Sequence, residues 1–174
     1  MYDFSTFDAF IASTNGQTIG AGECWDYANL VWSHLGSRYY TYPPSDPSST
    51  NHGVKWGWIN AEARAANTID QITQIASLAD VKRGDIVITS DGEYGHAGYA
   101  NEDYNGSGSI MMYSQNHIGA RYVQLHSLSM STFLGAFRYA PWYTPPTPPT
   151  PTLTKKRFPW VLYARKLRER RAQA

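Results

Sequence analysis

The chain of 174 residues has a single cysteine, Cys24. That count excludes an intrachain disulfide and any metal site built from cysteines alone. Long apolar runs are missing too, and no stretch approaches the roughly 20 residues of a helix that spans a bilayer. The first ten residues, Met1 to Phe10, carry neither a basic n-region nor an apolar run. No secretory leader is read there, and the expectation is a protein made in, and soluble in, a cytoplasm. The sequence has no Gly-rich phosphate loop, no dinucleotide fingerprint and no His-Glu-x-x-His pair, so these routes to nucleotide or zinc chemistry fail on missing parts.

What is present is unevenly distributed. From Leu153 onward there are eight Lys or Arg and one Glu, whereas the rest of the chain holds seven basic and thirteen acidic residues. An acidic domain therefore carries a basic tail. Between them, residues 141–152 form a Pro/Thr tract, which favours extended polyproline geometry and reads as a semi-rigid spacer. The expected organisation is a main domain over 1–140, a linker over 141–152 and a tail over 153–174. In the tail, apolar residues from Trp160 to Leu167 are interleaved with charges. That pattern fits attraction to an anionic wall polymer or membrane surface, ahead of phosphate neutralisation on nucleic acid or a solvated end. Aromatics make up 14%, with 13 Tyr leading. Tyr and Trp combine an apolar body with a polar handle and suit grooves that hold polar polymers.

Apolar residues at 4, 7, 10 and 11 predict a helix over Phe4 to Ile11. Glu23 to Leu35 reads as a second helix that stops at Gly36, and Tyr42 to Asn51, with three prolines, as a loop. Ile59 to Ala66 and Thr68 to Leu78 read as short helices. Beyond Lys82 the period changes to that of strands: Asp85 to Thr89, His96 to Ala100, Ile110 to Asn116, Tyr122 to Leu128 and Phe133 to Tyr139. Helices first and hairpin-spaced strands after predict an α+β fold with an antiparallel sheet of about five strands.

Cys24 falls at the expected start of the second helix, behind Gly20 and Gly22. Backbone N–H groups and the helix dipole there favour an anion and lower a thiol pKa. The same N–H groups can receive a developing oxyanion. Otherwise a lone cysteine is a small buried hydrophobe. A nucleophilic Cys needs a general base, and the chain has five histidines. His34 lies late in a helix, His52 in a polar loop, and His117 and His126 on strands. His96 opens a strand between Gly95 and Ala97-Gly98, small residues that admit close approach. It is the base candidate, with a hydrogen-bonded strand histidine as the alternative. Ser114 and Asn116 share a face of the next strand by alternation and could orient the imidazole, while His117 points the other way and reads as structural.

Five segments together resemble the CHAP domain, the cysteine, histidine-dependent amidohydrolase/peptidase family common in phage endolysins. They are Gly22-Glu23-Cys24-Trp25-Asp26, Gly84-Asp85-Ile86-Val87, Gly95-His96-Ala97-Gly98, Tyr113-Ser114-Gln115-Asn116 and Phe133 to Arg138. The resemblance covers about residues 5 to 140. It implies a papain-like fold with Cys24 as nucleophile, His96 as base and Asn116 as the orienting third group. It also departs from the family. Ser114 stands where the family has Glu, and Glu23 stands where Gln is frequent. A carboxylate facing the thiolate would raise its pKa, so the Glu23 side chain is expected to turn away. Some members bind calcium near the Cys. Here Asp26 is retained, but Asn15 and Gln17 replace charged ligands, so no metal and no cofactor is expected, with calcium at Asp26 the one alternative. Trp25, Trp56 and Trp58 are candidate substrate-binding aromatics, with ordinary core packing as the other reading.

The resemblance implies hydrolysis of an amide bond in bacterial peptidoglycan, as an N-acetylmuramoyl-L-alanine amidase or an endopeptidase. The implied protein is a monomeric phage lysin held in the host cytoplasm until lysis and acting then at the cell wall. The alternative from another class is a non-catalytic wall-binding or virion structural protein that keeps the fold.

Overall fold

Asp3 caps the first helix, α1 (Phe4–Ser13), by accepting a hydrogen bond from the Thr6 N–H, which satisfies a donor with no partner inside the helix. The structure, a computed structural model, describes residues 3–48, 53–68 and 71–143. The helical spacing turns Phe7 and Ile11 of α1 into the core. Helix α2 (Cys24–His34) buries Cys24, Tyr27, Ala28, Val31 and Trp32. Where one helix over Ile59 to Ala66 was expected there are two short ones, α3 (Trp56–Ile59) and α4 (Ala61–Ala66). Asn60 separates them and caps α4, accepting from the Glu62 and Ala63 N–H groups.

Six strands follow: β1 (Ile72–Ile75), β2 (Ile86–Thr89), β3 (His96–Ala100), β4 (Ser109–Ser114), β5 (Gln124–Ser129) and β6 (Phe133–Tyr139). They form one sheet in the order β1-β6-β2-β3-β4-β5, and every neighbouring pair is antiparallel. The fold is α+β, as the change of period predicted, with one strand more than expected. Thr68 to Leu78, read as a helix, instead supplies β1, which pairs with β6 from Ile72↔Tyr139 to Ile75↔Ala136.

Alternation along the strands builds a core on each face of the sheet. Ile86, Ile88, Ala97, Tyr99 and Phe137 join Phe7, Ile11, Tyr27, Val31 and Trp32 on the helix side. Val87, Ala100, Ile110, Met112, Leu128 and Ala136 form the second cluster. Asp85, fully buried, meets Arg138 with two parallel hydrogen bonds, Nε to Oδ1 at 2.8 Å and Nη2 to Oδ2 at 2.7 Å. Burial pushes the Asp85 carboxyl up while the Arg138 hydrogen bond pulls it down. A fork-to-fork pair of this kind fixes geometry as well as charge and ties β2 to β6. The described part of the domain runs on past 140. Trp142 packs on Phe7 at 4.7 Å between ring centroids and on Phe4 at 5.4 Å, and the compact unit runs to Tyr143. The remainder of the linker and the basic tail lie outside the described residues.

Candidate active site

Cys24 is the first residue of α2, and the loop before it is held by buried side chains. Gln115 is fully buried. Its amide oxygen accepts from the Ile19 N–H at 3.0 Å, and its amide nitrogen donates to the Ile19 and Glu23 carbonyls at 2.8 and 2.7 Å. From inside the helix, Asp26 Oδ2 accepts from the Ala21 and Glu23 N–H groups, each at 3.0 Å. The carboxylate considered for calcium therefore staples the turn that presents Cys24. Gln17, at the upstream ligand position, donates to the Ser13 carbonyl.

His96 opens β3 directly after a tight turn. Gly95 has φ +75°, and a Cβ there would fall 2.5 Å from Lys55 and 2.6 Å from the Thr89 carbonyl. Only glycine allows this approach. Gly98 does the same for the neighbouring strand, since a Cβ would lie 2.2 Å from the end of Met112 and 2.9 Å from Ser114 Cβ. The closeness of β4 brings Ser114 to His96: Nε2 and Oγ are 2.8 Å apart. Ser114 Oγ in turn lies 2.6 Å from Nε2 of His126 on β5. A row of imidazole, hydroxyl and imidazole results on one face of the sheet.

Asn116, expected to orient His96, bonds elsewhere. Its Nδ2 donates to Glu23 Oε2, and Arg121 completes an ion pair with the other oxygen of that carboxylate. The reason is local. Strand β4 ends at Ser114, and Asn116 has φ +60°, so the alternation that placed Ser114 and Asn116 on one face stops before Asn116 is reached. Glu23 has not turned away from the site but is gripped beside it. His117, expected to point away, has its ring 5.6 Å from that of His96 and stacks on His126 at 4.0 Å. Sequence reasoning passed over His126. The available signal was the strand period: Gln124, His126 and Leu128 share the face on which Leu128 is buried, and the register places His126 diagonal to Ser114.

Cys24 and His96 line one open cavity of about 410 Å³, with Trp25, Tyr94, Glu93 and Asn116 among its other walls. The thiol lies 4.0 Å from the Gly95 carbonyl. Trp25 is 38% exposed and lines this cavity. Trp56 and Trp58 do not line it. Trp58 packs edge-on against Phe137 of the core, 5.1 Å between centroids, and its carbonyl accepts from Arg64.

Cys24 and His96 rest uncharged in this cavity. Burial pushes the Cys24 thiol up to about 11, with Glu23 adding to the rise and the Ala97, Trp25 and Cys24 N–H groups opposing it. The depressed thiol expected from the helix start is therefore not found, because desolvation outweighs the dipole. Burial, with the charges of His117 and His126, depresses His96 to about 4. Cys24 and His96, which line the same cavity, are therefore both neutral at neutral pH.

No family model matches the chain. Staphylococcal secretory antigen ssaA2 from Staphylococcus aureus strain NCTC 8325 is 29% identical over 128 residues, covering 71% of this chain and 43% of that protein. The same values hold for strain COL. The chain thus spans about two fifths of the length of these curated relatives. Among solved structures, the wild-type endolysin LysIME-EF1 superposes with a TM-score of 0.61 at 21% identity, over 80% of this chain and 65% of that one. Ly7917 gives 0.51 at 19% identity, over 77% and 61%. Its structure with the hydrolyzing product of MDP gives 0.50 at 18%. This chain shares its fold with these endolysins.

Proposed function

We propose that this domain is a peptidoglycan hydrolase of the CHAP type, cleaving an amide bond with Cys24 as nucleophile and His96 as base. The observation that carries the reading is the shared cavity of Cys24 and His96, with the imidazole held from behind by Ser114 and His126. The endolysin neighbours supply the substrate class, one of them having been solved with a hydrolyzing product of MDP.

With Nε2 of His96 engaged by Ser114, Nδ1 is left for the thiol. One set of tautomers satisfies the row: His96 Nε2–H donates to Ser114 Oγ, and the Ser114 hydroxyl donates to His126 Nε2. As sulfur attacks the carbonyl carbon, the thiol proton passes to His96 Nδ1 and the carbonyl oxygen becomes an oxyanion beside the α2 N-terminus. The C–N bond then breaks, and the amine leaves with the proton from His96. Water, deprotonated by the same imidazole, hydrolyses the thioester and restores the thiol. The Ser114 hydroxyl, backed by a second imidazole, takes the orienting place that a carboxylate holds in the resembled family.

Purified bacterial walls provide the test. Folded Cys24→Ser and His96→Ala proteins should each lose at least about a hundredfold in turnover, the lower range for acid–base groups. Mass spectrometry of the digest should show new amino termini that name the bond, whether muramoyl–L-alanine or peptide. Undiminished lysis by Cys24→Ser would overturn the mechanism and leave the fold as a wall-binding module.

A further inference from the structure

Three histidines from three separate segments converge beside the cavity: His96 at the start of β3, His117 in the turn after β4 and His126 within β5. One ring nitrogen of each lies within 4.8 Å of the other two, and among the described residues no other group of three ligand-type side chains comes together in this way. His96 is buried and the other two are half-buried. Among the described residues no carboxylate hydrogen-bonds to these rings; the Ser114 hydroxyl lies between those of His96 and His126. Ion pairing therefore does not account for the convergence.

We propose that His96, His117 and His126 form a binding site for a divalent transition-metal ion of the zinc class, and that the bound ion switches the hydrolase off. Three imidazole nitrogens suit zinc and its neighbours and exclude calcium and magnesium, which take oxygen ligands. Zinc–nitrogen bonds of about 2.0–2.1 Å in tetrahedral geometry place the donors about 3.4 Å apart. The present spread closes to that value by about 1.4 Å of ring movement, measured against the same zinc geometry. His117 and His126 can supply it by rotating out of their mutual stack, leaving the strands in place. The fourth position falls to water, as in other three-histidine zinc sites.

The inhibitory half of the proposal rests on His96 being the catalytic base. A ring nitrogen given to the metal fixes the imidazole and draws it out of the hydrogen-bonded row with Ser114. The thiol proton then has no acceptor in place. His117 lies outside the hydrogen-bonded row of His96, Ser114 and His126, so replacing it removes a metal ligand while that row stays in place, and it separates the two functions.

The test uses the full chain freed of metal with a chelator. Zinc is titrated against a chromophoric chelator, and lysis of purified walls is followed with and without zinc. The wild type should bind one zinc per chain and lose lysis as zinc fills the site, with recovery on adding excess chelator. His117→Ala and the more conservative His117→Gln, each shown to be folded by circular dichroism, should bind at least about tenfold more weakly. They should keep metal-free lysis and resist zinc. Cys24→Ser should bind zinc like the wild type, and calcium should give no binding. Absence of zinc binding at micromolar concentrations, or binding undiminished in both His117 variants, overturns the site. So does binding that is lost in Cys24→Ser. Binding that needs His117 while zinc leaves lysis untouched upholds the site and overturns His96 as the base. Binding that needs His117 together with full lysis by Cys24→Ser upholds the site and overturns the thiol mechanism.

Discussion

In the proposed mechanism Ser114 stands in for a missing charge. A serine hydroxyl is short, yet Gly98 lets β4 approach closely enough for it to reach His96 at 2.8 Å and His126 at 2.6 Å. Ser114→Ala should therefore cut turnover on purified walls by about ten- to a hundredfold, since two imidazoles lose their shared partner in a buried setting. Asn116→Ala, which removes one partner of Glu23 but leaves the contact of His96 with Ser114 in place, should cost less. A larger loss at Asn116 would return the orienting role to the amide. Protonation gives a second check at this scale. The folded protein depresses His96 to about 4 from an ordinary 6.5. As pH falls below 6.5 the unfolded chain takes up a proton that the folded one refuses until about pH 4, so stability declines across that window. The full penalty is about 3 kcal/mol for a shift of this size. Thermal melts between pH 7 and 4, run with a chelator present, should show the decline, and His96→Gln should flatten it. An unchanged slope in that variant would place the acid sensitivity elsewhere. Of the individual residues, Cys24 and His96 were legible because a glycine-flanked helix start and a glycine-flanked strand start leave marks in the sequence. The row behind them was not, because it depends on strand register between β3, β4 and β5, which residue order does not display.

Elements were legible where their period was strong. The apolar faces of α1 and α2, the continuous apolar run of β2 and the apolar and aromatic residues of β6 appear in the chain itself, and those elements form close to where they were expected. Strand β1 did not follow its local signal. Apolar residues at 69, 72 and 75 repeat every three positions and look helical, but pairing with β6 along Ile72 to Ile75 prevails, as tertiary contacts often do over propensity. The end of β4 is the more consequential miss. Left-handed backbone at Asn116 and Ile118 turns the chain early, and Gln115 is driven inward to hold the loop that carries Cys24. That amide satisfies the Ile19 N–H and two carbonyls in the interior. Gln115→Leu keeps much of the volume and removes all three bonds. It should destabilise the domain by about 2–4 kcal/mol, from backbone groups left buried without partners. Lysis should fall further than stability alone accounts for, because the α2 N-terminus loses its anchor. Denaturant titration and wall digestion on one preparation separate the two effects, and a stable variant with normal lysis would remove Gln115 from any positioning role.

At the scale of the whole molecule, charge is divided along the chain. Residues before Leu153 hold seven basic and thirteen acidic side chains, and eight of the fifteen basic residues follow. Under the proposed function, an acidic domain is repelled by an anionic wall, and the basic segment is the part suited to bring it there. It would act by raising local concentration without adding catalytic contacts. The compact unit ends at Tyr143, and its last residues are structural, with Trp142 against Phe7 and Phe4, and Tyr143 beside Phe4. Two truncations then have different outcomes. A chain ending at Tyr143 should stay folded and cleave small soluble wall fragments at a near-normal rate. A chain ending at Tyr139 loses the Trp142 packing and should be destabilised by about 3–5 kcal/mol, the usual range for removing a large buried aromatic. Thermal melts compare the two directly. The chain ending at Tyr143 should lyse whole cells less well than the full protein. Because attraction between surfaces is screened over about 8 Å at physiological ionic strength, the advantage of the full protein should shrink as salt is added. Equal cell binding by both chains at low and high salt would exclude the tail as a surface anchor, and a nucleic acid or virion partner would become the better assignment for it.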